Sequence, residues 1–381
     1  MRSRAKSGKC SENSDSKRYN EPFFGQSEIS VTISRSFRTF ALGALFGLFG
    51  ALSYIPTSAF AQSTGGEVAS VQTASIGDVA SINPKPAEST AAAPKKPRAV
   101  KRRLSRSAPS VAALAGLRET PDPLELSSSV AYMVDQDTGE VYFEKNAGVQ
   151  LPIASVTKLM TALVIAESEL SLKTPLTVTR ADYVRSTAES VLRAGMTLTR
   201  GDTLRAALMS SDNRAAHMLA RTYPGGVKAF VAKMNETAQE LGMVDSHFAD
   251  PTGLSNKNVS TARDLALLAS RAHSYRELQK ASTSATAVLD AGTRKLHLMT
   301  TNRLIGDPRW HVGIQKTGYT RAAGRCMVVQ SEFAGHRVVM VVLDSVNSSR
   351  RADDMYRMRR WLEEETRFEA QFAQTSPFEL L

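Results

Sequence analysis

The sequence predicts an α+β domain: an antiparallel sheet of about five strands flanked by helices, with a helical lobe. Three observations point to it. Two strand-like runs open residues 121–381, three more close them, and the stretch between reads as successive helices. Strands separated by so much helix meet in one sheet only if both ends of the domain come together, which leaves the helical middle as a lobe of its own.

The elements follow in order. Val130–Asp135 and Glu140–Glu144 are strand patterns around Asp137-Thr138-Gly139, a hairpin signal. Pro152 to about Leu170 reads as an apolar helix with Ser155 at its start. Leu204–Arg221 reads as one helical stretch holding Ser211-Asp212-Asn213 near its middle, and Val227–Leu241 as the next, after Pro224-Gly225-Gly226. Asp250-Pro251-Thr252-Gly253-Leu254 is a turn, and Thr261–Ala272 a further helix. His311–Tyr319 reads as a strand, Cys326–Phe333 and Arg337–Asp344 as a hairpin turning at Ala334-Gly335-His336, and Arg350–Phe372 as a closing helix. No internal repeat is visible.

The chain has 381 residues, 42% of them hydrophobic, enough for one large core or two smaller ones. Its formal charge of +11 is unevenly placed. Residues 1–61 carry 8 Lys/Arg against 4 Asp/Glu, residues 62–120 carry 9 against 4, and residues 121–381 carry 31 against 29. The folded part is nearly neutral, which argues against a nucleic-acid partner, whose binding protein concentrates positive charge on the domain itself. Cysteine occurs twice, at Cys10 and Cys326. Cys326 falls in a strand and reads as a small buried apolar residue.

Residues 1–61 read as a secretory signal peptide. Arg35 and Arg38 precede an uncharged run from Thr39 to Gly66, and Ala59-Phe60-Ala61 is an A-x-A site placing cleavage after Ala61. The rival is an uncleaved anchor, but the apolar part is short for a span and Pro56 interrupts its end. The mature protein is therefore expected to be exported. Residues 62–120, rich in Ala, Ser, Thr and Pro, read as a disordered linker, because they offer too little apolar area to offset ordering. Lys95 to Arg106 holds seven cations and no acid, a pattern that reads either as a solvated charge run or as a segment for weak, salt-sensitive contact with an anionic envelope surface.

Three short polar motifs carry the chemistry: Ser155-Val156-Thr157-Lys158, Ser211-Asp212-Asn213 and Lys316-Thr317-Gly318. Each is weak alone: S-x-x-K occurs on ordinary surface helices, S-D-N is usually a cap or loop, and K-T-G is usually a turn or bulge. In this order they match a known serine-catalysis set. Ser155 and Lys158, three apart, share a helix face. A serine hydroxyl needs a base to become a nucleophile, and Ile153, Val156, Leu159 and Met160 suggest an apolar setting that lowers the lysine pKa. N–H groups at the helix start can stabilise an oxyanion. Ser211 offers a proton relay to a leaving nitrogen, and Asn213 both a donor and an acceptor for a peptide. Lys316 supplies charge and Thr317 a hydroxyl for a carboxylate or carbonyl, Gly318 leaves room for substrate at the strand edge, and the Tyr319 amide can be a second oxyanion donor. The six histidines show no metal-binding spacing and no phosphate loop appears, so neither metal nor cofactor is expected.

From about Val130 to about Leu362 the chain resembles the low-molecular-mass penicillin-binding proteins, serine D-Ala-D-Ala peptidases of the bacterial envelope. Leu208 to Ala216, Asp250 to Ser255, and Gln315 to Thr320 continuing through Ala323-Gly324-Arg325-Cys326 look like the D-alanyl-D-alanine endopeptidase branch, the penicillin-binding protein 7 type. The resemblance implies a β-lactamase/transpeptidase-like fold. It implies Ser155 as acylated nucleophile, Lys158 as general base, Ser211 and Asn213 as the second motif, and Lys316 and Thr317 as substrate contacts. It also implies peptidoglycan peptides as substrates and β-lactams as covalent inhibitors of Ser155. Carboxypeptidase relatives often carry a β-rich C-terminal domain and a terminal membrane helix; here residues 319–381 follow the third motif, and the last helix is charged, which favours the endopeptidase branch over a DD-carboxypeptidase. A secreted serine β-lactamase shares the motifs, but class A enzymes use a glutamate in an E-x-x-L-N setting, and Glu236, Glu240 and Glu277 lack it. An inactive wall-binding protein would be expected to have lost a motif residue, and none is lost.

Overall fold

The structure, a computed structural model, describes residues 31–32, 108–292, 294–333 and 335–375. The signal peptide expected over 1–61 and the linker expected from 62 onward lie outside the described residues, apart from Val31–Thr32 and residues 108–120.

The strands are β1 (Val31–Thr32), β2 (Val130–Asp135), β3 (Val141–Lys145), β4 (Leu151–Pro152), β5 (Pro175–Thr177), β6 (Thr197–Thr199), β7 (Val259–Ser260), β8 (Thr286–Asp290), β9 (Lys295–Met299), β10 (His311–Thr320), β11 (Gly324–Phe333) and β12 (His336–Ser345). The helices are α1 (Val111–Leu114), α2 (Lys158–Glu167), α3 (Arg200–Met209), α4 (Asn213–Arg221), α5 (Gly226–Glu240), α6 (Ala262–His273), α7 (Arg276–Thr283) and α8 (Ser348–Thr375). The main sheet runs β1-β3-β2-β12-β11-β10, antiparallel throughout, so five long strands from both ends of the domain form it and the two-residue β1 borders β3. Register places Val134 opposite Val339 and Thr317 opposite Met327.

Period-two alternation builds two cores. Val130, Tyr132, Val339, Val341 and Leu343 face the helical lobe and pack with α2, α3, α4 and α6. Ala131, Met133, Val338, Met340 and Val342 face the other way and meet Met355, Met358 and Leu362 of α8. A sheet covered on both faces explains why its central strands are nearly continuous apolar runs. Cys326 is fully buried in the first core, and burial pushes its thiol pKa up to about 12.

Three sequence expectations change. Ser155 does not open an α-helix: it sits in a 3-10 turn, Ala154–Thr157, and the α-helix begins at Lys158. The expected helix Leu204–Arg221 is two helices, broken where Ser211 takes a left-handed φ of 60° and Asp212 extends to cap α4. The domain also starts before residue 121. Ser110 caps α1, Ala112 and Leu117 are buried, the Val111 amide donates to the Ala322 carbonyl at 2.9 Å, and the Arg118–Asp344 pair at 2.7 Å ties the segment to β12.

Candidate active site

Ser155 and Lys158 are held by the tight turn between β4 and α2. Side chains three apart nearly eclipse in a 3-10 turn, and Lys158 Nζ lies 2.9 Å from Ser155 Oγ. Ala154 accepts a left-handed φ of 49°, a conformation an L-residue holds only when its surroundings impose it. Two features impose it. Thr157 Oγ1 donates to the Ala154 carbonyl at 2.8 Å. Gly253, at φ +80°, lets the Asp250–Leu254 turn lie directly on that carbonyl, where any Cβ would overlap it. The turn is itself fixed by Asp250, whose Oδ1 accepts from the Thr252 and Gly253 amides at 2.6 and 2.9 Å.

Lys158 is fully buried and donates to Asn213 Oδ1 and to the Thr252 carbonyl, both at 2.7 Å. Burial lowers its pKa to about 7, against the opposing pull of the Asp212 and Asp250 carboxylates. Asn213 begins α4. Asp212 caps it, accepting from the Ala215 amide at 3.0 Å, and is braced by Ser190 Oγ at 2.6 Å.

The third motif comes from β10. Lys316 is fully buried and donates to Ser211 Oγ at 2.9 Å and to the Thr317 carbonyl at 2.7 Å. Burial first, then the positive charges of Lys158 and Arg351, hold its pKa well below the ordinary lysine range. Thr317 Oγ1 meets Thr301 Oγ1 at 2.6 Å. A Cβ built on Gly318 stands 3.0 Å from the Ser155 nitrogen, so the strand abuts the serine turn and carries Tyr319 past it. The Tyr319 side chain is exposed, with the Arg325 guanidinium 3.8 Å from its ring centroid.

All eight expected residues thus come together. A cleft of about 1050 Å³ opens above them, lined by Ser155, Ser211, Asn213, Thr317, Gly318 and Tyr319, while Lys158 and Lys316 lie beneath its floor. Sequence reasoning missed the rest of the wall. Arg185, Arg321, Arg325 and Arg351 line the cleft, and no carboxylate does among the described residues. Arg351 is 6% exposed; its Nη1 donates to the Cys326 carbonyl at 3.2 Å, and among the described residues its Nε has no partner. Burial lowers its pKa to about 10, with Arg325 and Arg303 adding to the effect. Ser186 and the Thr252 carbonyl were also unforeseen; a backbone carbonyl has no signature in a sequence, and Arg351 lies far from every motif.

Residues 117–347 match the family model described as D-alanyl-D-alanine carboxypeptidase. The D-alanyl-D-alanine endopeptidase of Pseudomonas aeruginosa is 42% identical over 243 residues, covering 63% of this chain and 78% of that protein. That of Escherichia coli is 38% identical over 260 residues, covering 67% and 84%. Among solved structures, the Streptomyces K15 DD-transpeptidase aligns with a TM-score of 0.59 at 28% identity, over 62% of this chain and 97% of its own. Penicillin-binding protein D2 from Listeria monocytogenes, in its ampicillin-bound form, aligns with a TM-score of 0.56 at 32% identity, over 63% and 98%. With more than half its length matched, this chain belongs to the D-alanyl-D-alanine carboxypeptidase family and is a serine DD-peptidase.

Proposed function

We propose that the protein is a DD-endopeptidase that hydrolyses D-Ala-containing cross-links of peptidoglycan through an acyl-enzyme on Ser155. The observation that carries the reading is the hydrogen bonding around Lys158. A neutral amine has two N–H donors and one lone pair. Asn213 Oδ1 and the Thr252 carbonyl take the two donors, which aims the lone pair at Ser155 Oγ, 2.9 Å away. With a pKa of about 7 the neutral form is well populated at neutral pH.

Ser155 attacks the D-Ala carbonyl and passes its proton to Lys158. The Ser155 and Tyr319 amides stabilise the oxyanion. Ser211, held by the Lys316 ammonium, gives its proton to the departing nitrogen and takes one from Lys316. The two lysines thereby exchange which of them is charged. The charge arriving on Lys158 is one of the causes that lower the Lys316 pKa, so the first transfer assists the second. Once the amine has left, return of the proton to Lys316 restores Lys158 as the base for the water that hydrolyses the ester.

The arginine-lined cleft suits a peptide bearing carboxylates, and the buried guanidinium of Arg351 is placed to meet one. Two relatives at 42% and 38% identity are named as endopeptidases, which favours cross-link cleavage over trimming. We place the mature enzyme in the periplasm, exported by the Thr39–Ala61 segment and its A-x-A site. The test is to incubate the mature protein with cross-linked muropeptide dimers and with monomeric pentapeptides. Monomers released from dimers support the reading; loss of D-Ala from pentapeptides with intact dimers makes the protein a carboxypeptidase.

A further inference from the structure

We infer that Ser186 is a substrate-binding residue of the cleft, donating its hydroxyl proton to a carbonyl oxygen of the bound peptide; this rests on the reading of the cleft as a DD-peptidase site. A serine hydroxyl has two lone pairs and one proton. Both lone pairs of Ser186 are engaged. Asn213 Nδ2 donates to Oγ at 3.0 Å, and the Ala188 amide donates at 3.0 Å. The Asn213 orientation is not free to reverse, because its Oδ1 accepts from Lys158, whose lone pair is turned to Ser155, so the amine has only N–H donors to offer Asn213. The Ser186 proton is therefore directed outward, and among the described residues nothing accepts it. Ser186 is half-buried and lines the cleft.

The segment that carries it is pinned on both sides. Asp182, fully buried, accepts from Arg221 Nε at 2.7 Å and from the Thr179 amide at 2.8 Å. Ser190 donates to Asp212 at 2.6 Å. Ser186 thus hangs between two anchors on α4 and its cap, held without cost to the ligand. A neutral O–H beside a neutral amide suits a peptide carbonyl, while the arginines of the cleft, Arg185 next to Ser186 among them, suit carboxylates. The contact also joins a continuous path, Ser186 to Asn213 to Lys158 to Ser155, so an acceptor seated on Ser186 is registered against the nucleophile.

The test compares wild type, Ser186→Ala and Ser186→Thr on cross-linked muropeptide dimers across pH, with penicillin acylation of Ser155 measured alongside. Ser186→Ala is expected to lose about five- to tenfold in kcat/KM, carried mainly by KM, with the acid limb of the pH profile unmoved. Ser186→Thr, which keeps the donor, is expected to recover most of the loss. Unchanged kinetics in Ser186→Ala overturn the inference. A shifted acid limb with an unchanged KM also overturns it, since Ser186 would then act only through Asn213 and Lys158. A wild-type protein that neither cleaves dimers nor takes up penicillin overturns the DD-peptidase reading and this inference together, whereas active wild type with an indifferent Ser186→Ala overturns this inference alone.

Discussion

Gly318 and Ser155 meet backbone to backbone: a Cβ built on Gly318 stands 3.0 Å from the Ser155 nitrogen and 3.1 Å from that of Val156. The glycine of the third motif is therefore there for the enzyme's own packing as well as for substrate. Gly318→Val is expected to fold, because β10 is held along its length by β11, but to displace the serine turn. Acylation by a fluorescent penicillin should fall by roughly a hundredfold or more, since small misplacements of a nucleophile are that costly. Labelling at the wild-type rate would show that the strand and the turn do not depend on each other.

Lys158→Arg keeps the charge and removes the base, because a guanidinium stays protonated. Acylation is expected to fall by about a thousandfold, within the range of general-base catalysis. In the wild type, acylation should rise with pH through about 7, as the buried ammonium loses its proton. The sign follows from burial lowering the lysine pKa: the active form is the deprotonated one, so activity is lost on the acid side. A rate independent of pH between about 6 and 8 would contradict the assignment.

Gly253→Ala tests the support beneath the nucleophile. The position combines φ +80° with a Cβ that overlaps the Ala154 carbonyl. Left-handed strain alone costs about 1–2 kcal/mol, and relief of the overlap moves the serine turn. A Tm lowered by at least several degrees, together with slower acylation, is expected in thermal melts and labelling assays. An unchanged Tm would mean that the Asp250 turn is not packed as described.

The penicilloyl-enzyme should be long-lived. No carboxylate lines the cleft among the described residues, so water has no acid-derived base waiting beside the ester. With a peptide the departing fragment leaves and water enters; with a β-lactam the leaving group stays tethered and blocks it. Rapid, sustained hydrolysis of a chromogenic cephalosporin would place the chain with the β-lactamases instead.

Much of this was legible in the sequence, for definite reasons. The five long strands and α8 announce themselves by apolar runs and turn residues, and β10 to β12 fall within a residue or two of expectation. The break between α3 and α4 was not seen, because Leu204 to Arg221 keeps a helical pattern throughout and only the capping preference of Asp212 marks the stop. The 3-10 turn at Ser155 was hidden likewise, since its cause is Gly253, about a hundred residues away, pressing on Ala154. Lys158 and Ser155 lie within hydrogen-bond distance because three-residue spacing brings side chains together in either kind of helix. The arginine wall was out of reach: Arg185, Arg321, Arg325 and Arg351 share a cleft only once the sheet joins both ends of the domain.

The most direct test of the account is intact-protein and peptide mass spectrometry after exposure to penicillin. One penicilloyl adduct is expected on the wild-type protein, mapping to the tryptic peptide that contains Ser155, and none on Ser155→Ala with its fold intact. An adduct that persists in Ser155→Ala, or that maps to another residue, would contradict the central claim that Ser155 is the nucleophile.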